Sequence, residues 1–128
     1  MVGRVDQEHE EDREYIYLIG SDRLSQELHD ISEMCNEEYV GLELDYKYND
    51  LKDPNRYYYR SDHYNFAEKG IPVIFYFNGT HEDYHAPTDT PEKIDYELMA
   101  KRAQLIFITA WNLANRDERI ELNEIVEE

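Results

Sequence analysis

The sequence predicts an α/β domain, a three-layer αβα arrangement with a mostly parallel sheet. Three observations lead there. Short β-rich apolar runs alternate with helical patterns along the chain, and crossovers between such units build a sheet with helices over its faces. The last apolar run, residues 71–77, is apolar on both faces, as a central parallel strand is. A polar loop dense in His and Asp comes after that run and leads into a long helix. Loops at the carboxyl end of a strand are where α/β proteins place their sites. A chain of 128 residues is long enough for one domain with a real core and too short for two.

The elements can be taken in order. Residues 1–14 are polar and acidic after Met1-Val2, and 9–14 have the composition of a solvated loop. Residues 15–19, Tyr-Ile-Tyr-Leu-Ile, form the first strand, which stops at Gly20. Ser21 or Asp22 is positioned to cap a helix over 23–38, where Leu24, Leu28, Ile31 and Cys35 make an amphipathic stripe. Residues 42–46 alternate as a second strand, and 47–60 read as a surface loop. Ser61-Asp62 can cap a short helix over 63–69 that ends at Gly70. After the third strand and its loop, Pro91 suits the first turn of a short helix over 91–94. Asp95 then caps a helix over 96–115 that is apolar on more than one face, so the most buried helix is expected there. The ends, 1–14 and 116–128, are expected to be flexible.

Composition narrows the function. The formal net charge is −17, and nucleic acids and anionic membranes bind basic faces, so neither is an expected partner. No run is long and apolar enough to span a bilayer, and no signal-peptide pattern opens the chain. The twelve tyrosines fit half-buried sheet and loop packing better than a stacking surface for sugars or bases. Cys35 is the single cysteine and sits in a helical stripe, so it is read as an inert packed thiol.

The candidate chemistry lies in residues 79–90, where His81, Asp83, Tyr84, His85 and Asp89 can ligate, titrate or donate. Gly79 and Pro87 argue for a loop, so the spacing of four between the histidines does not put them on one helix face. On the residues alone, a zinc site and backbone-bonded loop histidines both remain open, because zinc needs three or four donors. Ser61-Asp62-His63 cannot act as a nucleophilic triad, since adjacent side chains cannot aim at one another in that geometry. Asn78-Gly79-Thr80 matches the glycosylation pattern, which carries little weight at a strand end.

The linked set Ser61-Asp62-His63, Gly70-Ile71-Pro72 and Tyr84-His85 with Pro87 and Asp89-Thr90 resembles the last motif block of the zinc aminopeptidases of metallopeptidase family twenty-eight. Glutaminyl cyclases share that fold. The resemblance runs from Met1 to about residue 118 and implies the C-terminal part of a zinc-exopeptidase (phosphorylase/hydrolase-like) fold. It makes His85 a metal ligand, Tyr84 a hydroxyl donor to the oxyanion, and Asp89, Asp62 and His63 supporting residues. For Asp89, Asp62 and His63 a plain capping role is equally open.

The resemblance also implies zinc as cofactor, a peptide as substrate, hydrolysis of its N-terminal residue, and a secreted or periplasmic location. Met1-Val2-Gly3-Arg4 resembles the family's residues immediately after a metal-ligating Asp, so the chain is expected to begin just beyond that ligand. The family's general base and other ligands lie upstream of this position, so the chain by itself is expected to be inactive. A non-catalytic interaction domain and a glutaminyl-cyclase-type enzyme are the alternative functions. Loss of neighbouring strands implies homo-oligomers through an open sheet edge or an apolar face.

Overall fold

The computed structural model describes residues 1–124; of the tail expected to be flexible at 116–128, residues 125–128 lie outside the described residues. Strand β1 is Tyr15–Ile19, helix α1 Gln26–Tyr39, strand β2 Glu43–Asp45, helix α2 His63–Ala67, strand β3 Phe75–Phe77 and helix α3 Tyr96–Ala114. Single 3-10 turns lie at Gln7–His9, Lys47–Asn49, Tyr57–Tyr59 and Pro91–Lys93.

The sheet is mixed, with the order β2-β1-β3. β1 runs parallel to β2, with Tyr15 opposite Glu43 and Tyr17 opposite Asp45. It runs antiparallel to β3, with Tyr17 opposite Phe77 and Ile19 opposite Phe75. The central strand is therefore β1, whose five residues are all fully buried. The expected central parallel strand at 71–77 is instead a short antiparallel edge. Apolarity on both faces reports how much is covered, not which neighbour covers it. Pro72 has no N–H for a ladder, and residues 72–76 are only half-buried.

α1 starts later than expected, at Gln26, because Ser25 supplies the cap. Its hydroxyl accepts from the Leu28 amide at 3.1 Å. Ser21 is not available for capping, since its hydroxyl lies 3.0 Å from His29 Nδ1. The helix closes on Asn36, whose carbonyl accepts from the amides of Val40 and Gly41. The Asn36 side chain also exchanges two hydrogen bonds with the Leu42 backbone, at 2.7 and 2.9 Å. This hands the chain directly to β2.

Both long helices lie on one face of the sheet. Ile16 and Leu18 of β1 pack there with Ile31 and Cys35 of α1 and Leu105 of α3. The opposite face holds Tyr15, Tyr17 and Ile19 with Phe77 of β3 beside them, covered by Tyr57, Tyr58 and Ala67. Its cover is α2 and irregular turns, not a second layer of long helices.

α3 is capped as expected, Asp95 Oδ1 accepting from the Leu98 amide at 3.0 Å. It is not buried on several faces. Only Leu98, Arg102, Leu105 and Thr109 are buried, at spacings of four, three and four, while Phe107 and Trp111 are 63% and 57% exposed. Arg102 has no exposed surface at all. Its guanidinium donates to four main-chain carbonyls: Val2 (2.8 Å), Arg4 (2.7 Å), Arg13 (3.3 Å) and Tyr15 (3.0 Å). Burial pushes its pKa down to about 10, so it stays charged at neutral pH. This clasp and the burial of Asp6 and His9 hold down an N-terminal segment whose composition suggested a solvated loop.

Candidate functional site

The loop at 78–90 begins by being locked to the N-terminal segment. The Asn78 side chain donates to the Tyr15 carbonyl, and the Asn78 main-chain carbonyl accepts from the Tyr15 hydroxyl at 2.6 Å. Asn78 is 2% exposed, which removes it as a glycosylation acceptor in the folded chain. Gly79 has φ +79°, and a Cβ there would fall 2.1 Å from Asp6 Oδ2. Only glycine lets the loop pass Asp6 in that conformation.

Three overlapping turns come next. The amides of Tyr84, Ala86 and Asp89 bond to the carbonyls of His81, Asp83 and Ala86 at 3.0, 2.8 and 3.1 Å. They set His81, Tyr84, His85 and Asp89 along one wall of a cavity of about 480 Å³. Tyr57, Arg60, Phe75 and Phe77 also line it. His85 has φ +57°, a left-handed conformation that costs a non-glycine residue about 1 kcal/mol or more. Its ring lies 4.1 Å from the Tyr84 ring, centroid to centroid. Among the described residues it takes part in no hydrogen bond or ion pair.

The loop carboxylates are already engaged. Asp83 accepts from Arg4 at 2.9 Å and from Lys93 at 2.8 Å. Lys93 first, then Arg4 and Thr88, hold its carboxyl well below the usual carboxylate range. Arg4 also reaches Asp89 at 2.5 Å. His81 Nδ1 accepts from the Asp83 amide at 3.3 Å, leaving Nε2 3.9 Å from Asp89 Oδ2. Burial, then the nearby Arg4 cation, lowers the His81 pKa, so the ring is neutral at neutral pH.

The family model for Peptidase family M28 matches residues 8–110. The chain belongs to Peptidase family M28. The match is shorter at both ends than the resemblance drawn from the motifs, and it encloses all three motif blocks. No curated protein and no solved structure matches the chain.

Members of Peptidase family M28 are hydrolases of peptides and generally zinc-dependent. Among the described residues, no three His, Cys, Asp or Glu side chains converge to hold a metal ion. Zinc needs three or four such donors. Here Asp83 and Asp89 are paired with Arg4 and Lys93, His81 is bonded within the loop, and among the described residues His85 is the loop histidine without a hydrogen bond, while the exposed Glu82 does not line its cavity. The residues present do not by themselves fit the family's metal.

The remaining expected residues sit apart from His85. Asp62 precedes α2 without a side-chain cap bond, and it is exposed. His63 Nε2 donates to the Tyr58 carbonyl at 2.6 Å, and its ring stacks on Phe75 at 4.4 Å. Burial lowers its pKa. Thus His63 backs the Phe75 wall of the cavity, and no hydrogen bond ties it to the loop.

Arg4, Lys93 and the aromatic wall were not singled out from the sequence. Two carboxylates in a packed loop imply nearby cations, but nothing in the order of residues points to Arg4. One arrangement elsewhere imitates a nucleophile with its base: Ser21 Oγ, His29 and Glu33 lie in line at 3.0 and 3.8 Å. Ser21 has no exposed surface, so no substrate carbonyl can reach it.

Proposed function

We infer that this chain supplies one wall of the site of an aminopeptidase-like metallopeptidase and does not turn over peptide by itself. The observation that carries this is His85, an unbonded imidazole in a strained backbone conformation at a cavity rim, in a member of Peptidase family M28. Strain of that kind persists where the surroundings impose it, and it clusters at functional sites.

In this reading His85 is a single metal donor, and zinc is the metal it serves. The Tyr84 hydroxyl donates toward charge developing on the scissile carbonyl oxygen, the role a phenol performs in a water-poor site. Tyr57, Phe75 and Phe77 receive the side chain of the N-terminal residue, with Arg60 beside them. His63 fixes the Phe75 ring, and Asp89 holds the loop through Arg4. No carboxylate beside His85 is left as general base, because Asp83 and Asp89 are held by cations and Glu82 does not line the cavity. A secreted or periplasmic location belongs to the same reading.

A non-catalytic interaction module of the same fold is the second reading. It is favoured by the neutralised carboxylates and the lack of a donor cluster among the described residues.

The test is an assay of the purified chain with zinc and a panel of aminoacyl-anilides, together with zinc calorimetry. No turnover and no tight zinc binding are expected. Turnover abolished by His85→Ala would overturn the reading that the chain lacks a complete site.

A further inference from the structure

Acidic residues outnumber basic ones here by 30 to 13, so a cation has a carboxylate within easy reach almost anywhere. Arg4, Arg13, Lys47, Lys93, Lys101 and Arg116 each hold one. Among the described residues, three arginines depart from that pattern. Arg23, Arg56 and Arg60 pair with no carboxylate, and each lies over a different ring of the Tyr57–Tyr59 turn. Arg23 is 3.9 Å from the Tyr58 centroid, Arg56 4.9 Å from that of Tyr59, and Arg60 4.9 Å from that of Tyr57.

The three differ in what they face. Arg23 donates to the main-chain carbonyls of Asn49 and Asp50 and so closes its own loop. Arg56 is exposed and lies off the cavity that holds His85, whereas Arg60 lines it, beside Tyr57, Phe75 and Phe77. The Tyr57 and Phe77 rings are 4.6 Å apart and the Phe75 and Phe77 rings 5.5 Å apart, so they form one aromatic wall. The Arg60 guanidinium makes a single long hydrogen bond, to the Asn55 carbonyl at 3.4 Å. A guanidinium laid on a ring is weakly hydrated and keeps N–H groups at its edge for another partner. The group whose shape matches that edge is a carboxylate, which takes two parallel N–H bonds.

We propose that Arg60 makes this site selective for peptides whose first residue is acidic. The methylenes of that side chain lie against Tyr57, Phe75 and Phe77, and its carboxylate meets the Arg60 edge. The proposal rests on the reading that this cavity seats the N-terminal residue. Asp83 and Asp89 cannot compete for Arg60, because Arg4 and Lys93 hold them. The same charge that accepts an acidic residue turns away a lysine in its place.

A heteronuclear NMR titration of the chain with glutamyl-glycine amide, glutaminyl-glycine amide and lysyl-glycine amide tests this. The first two differ by one charge at nearly constant shape. The glutamyl peptide is expected to bind at least roughly tenfold more tightly than the glutaminyl one, shifting the amides of Arg60, Phe75, Phe77 and Tyr84, and the lysyl peptide to bind most weakly. Arg60→Gln should abolish the preference. Arg60→Lys, which keeps the charge and loses the fork, should retain part of it, and Arg56→Gln should leave it intact. If the glutamyl and glutaminyl peptides bind alike in the cavity, selectivity by Arg60 is overturned while the cavity remains the seat of the peptide. If none of the peptides shifts the cavity residues, that seat is overturned as well. A preference that survives Arg60→Gln, or free leucyl-glycine binding through Arg60 as tightly as glutamyl-glycine amide, also overturns the assignment to an acidic first side chain.

Discussion

The two faces of β1 are closed by different means. Ile16 and Leu18 meet two long helices, whose backbone groups bond within the helix, so shape and apolar area suffice. Tyr15 and Tyr17 meet turns, whose backbone polar groups need partners. The Tyr15 hydroxyl accepts from the Asp6 amide at 2.9 Å and donates to the Asn78 carbonyl, and the Tyr17 hydroxyl donates to Asp6 at 2.8 Å. His9 stacks on Tyr15 at 3.6 Å and reaches Asp45 at 3.0 Å. Aromatic rings with polar tips can fill a core and satisfy an irregular cover at the same time. The cavity with His85 opens on this tyrosine side, where loops rather than helices set the geometry.

The contrast can be broken at several points. The largest effect is expected from Arg102→Met, since the guanidinium reaches from α3 to the segments that cover the tyrosine face. Four carbonyls lose their donor together, at about 1–3 kcal/mol each where they stay buried. Urea melts should show a loss of at least about 4 kcal/mol, and a loss under about 1 kcal/mol would show that water replaces the clasp.

Next come paired substitutions on β1. Leu18→Ala should cost about 2–5 kcal/mol through lost packing and a cavity. Tyr17→Phe removes one oxygen and should still cost about 1–3 kcal/mol, because Asp6 loses a buried donor. If Tyr17→Phe proves neutral, the tyrosine face is closed by area alone and the distinction fails.

Acid should also act on the tyrosine side first. The folded pKa of His63 lies below its unfolded value of about 6.5. The unfolded chain therefore takes up the proton first, and stability present above that value is lost as pH falls through it. Asp83 is depressed in the fold. Its contribution is present above the ordinary carboxylate range and is lost as pH falls below it. Thermal melts from pH 8 to pH 3 should show both limbs, with His63→Gln flattening the first and Asp83→Asn the second. Unchanged limbs in both variants would place the acid sensitivity elsewhere.

The smallest effect concerns Cys35 on the helix face. It has no exposed surface, and burial raises its pKa. A thiol reagent should modify it only as fast as the chain unfolds; rapid labelling of the native protein would mean that α1 opens locally.

The same contrast separates what the sequence discloses from what it conceals. β1, the stripe of α1 and the Asp95 cap were legible, because each rests on neighbours a few residues away. The tyrosine face was not, because the partners of Tyr15 and Tyr17 are backbone and carboxyl groups set by the fold. Arg102 was hidden inside an apolar helical run. The edge position of β3 was masked by its apolarity, which matches that of a central strand. In the loop, the sequence marked His85 and Tyr84, but not the left-handed backbone at His85, since no Gly or Asn announces it.

The Arg102 clasp also orders events in time. Its Nη1 joins residues a hundred positions apart in the chain. Contacts of that separation are slow to form, and during synthesis this one cannot form until the last helix has been made. At about 5–20 residues per second, the carbonyls of Val2 and Arg4 wait roughly 5–20 seconds for their donor. The segment at residues 2–4 is thus among the last to find its place. The cover that residues 2–13 give the tyrosine face is completed only once α3 has been made.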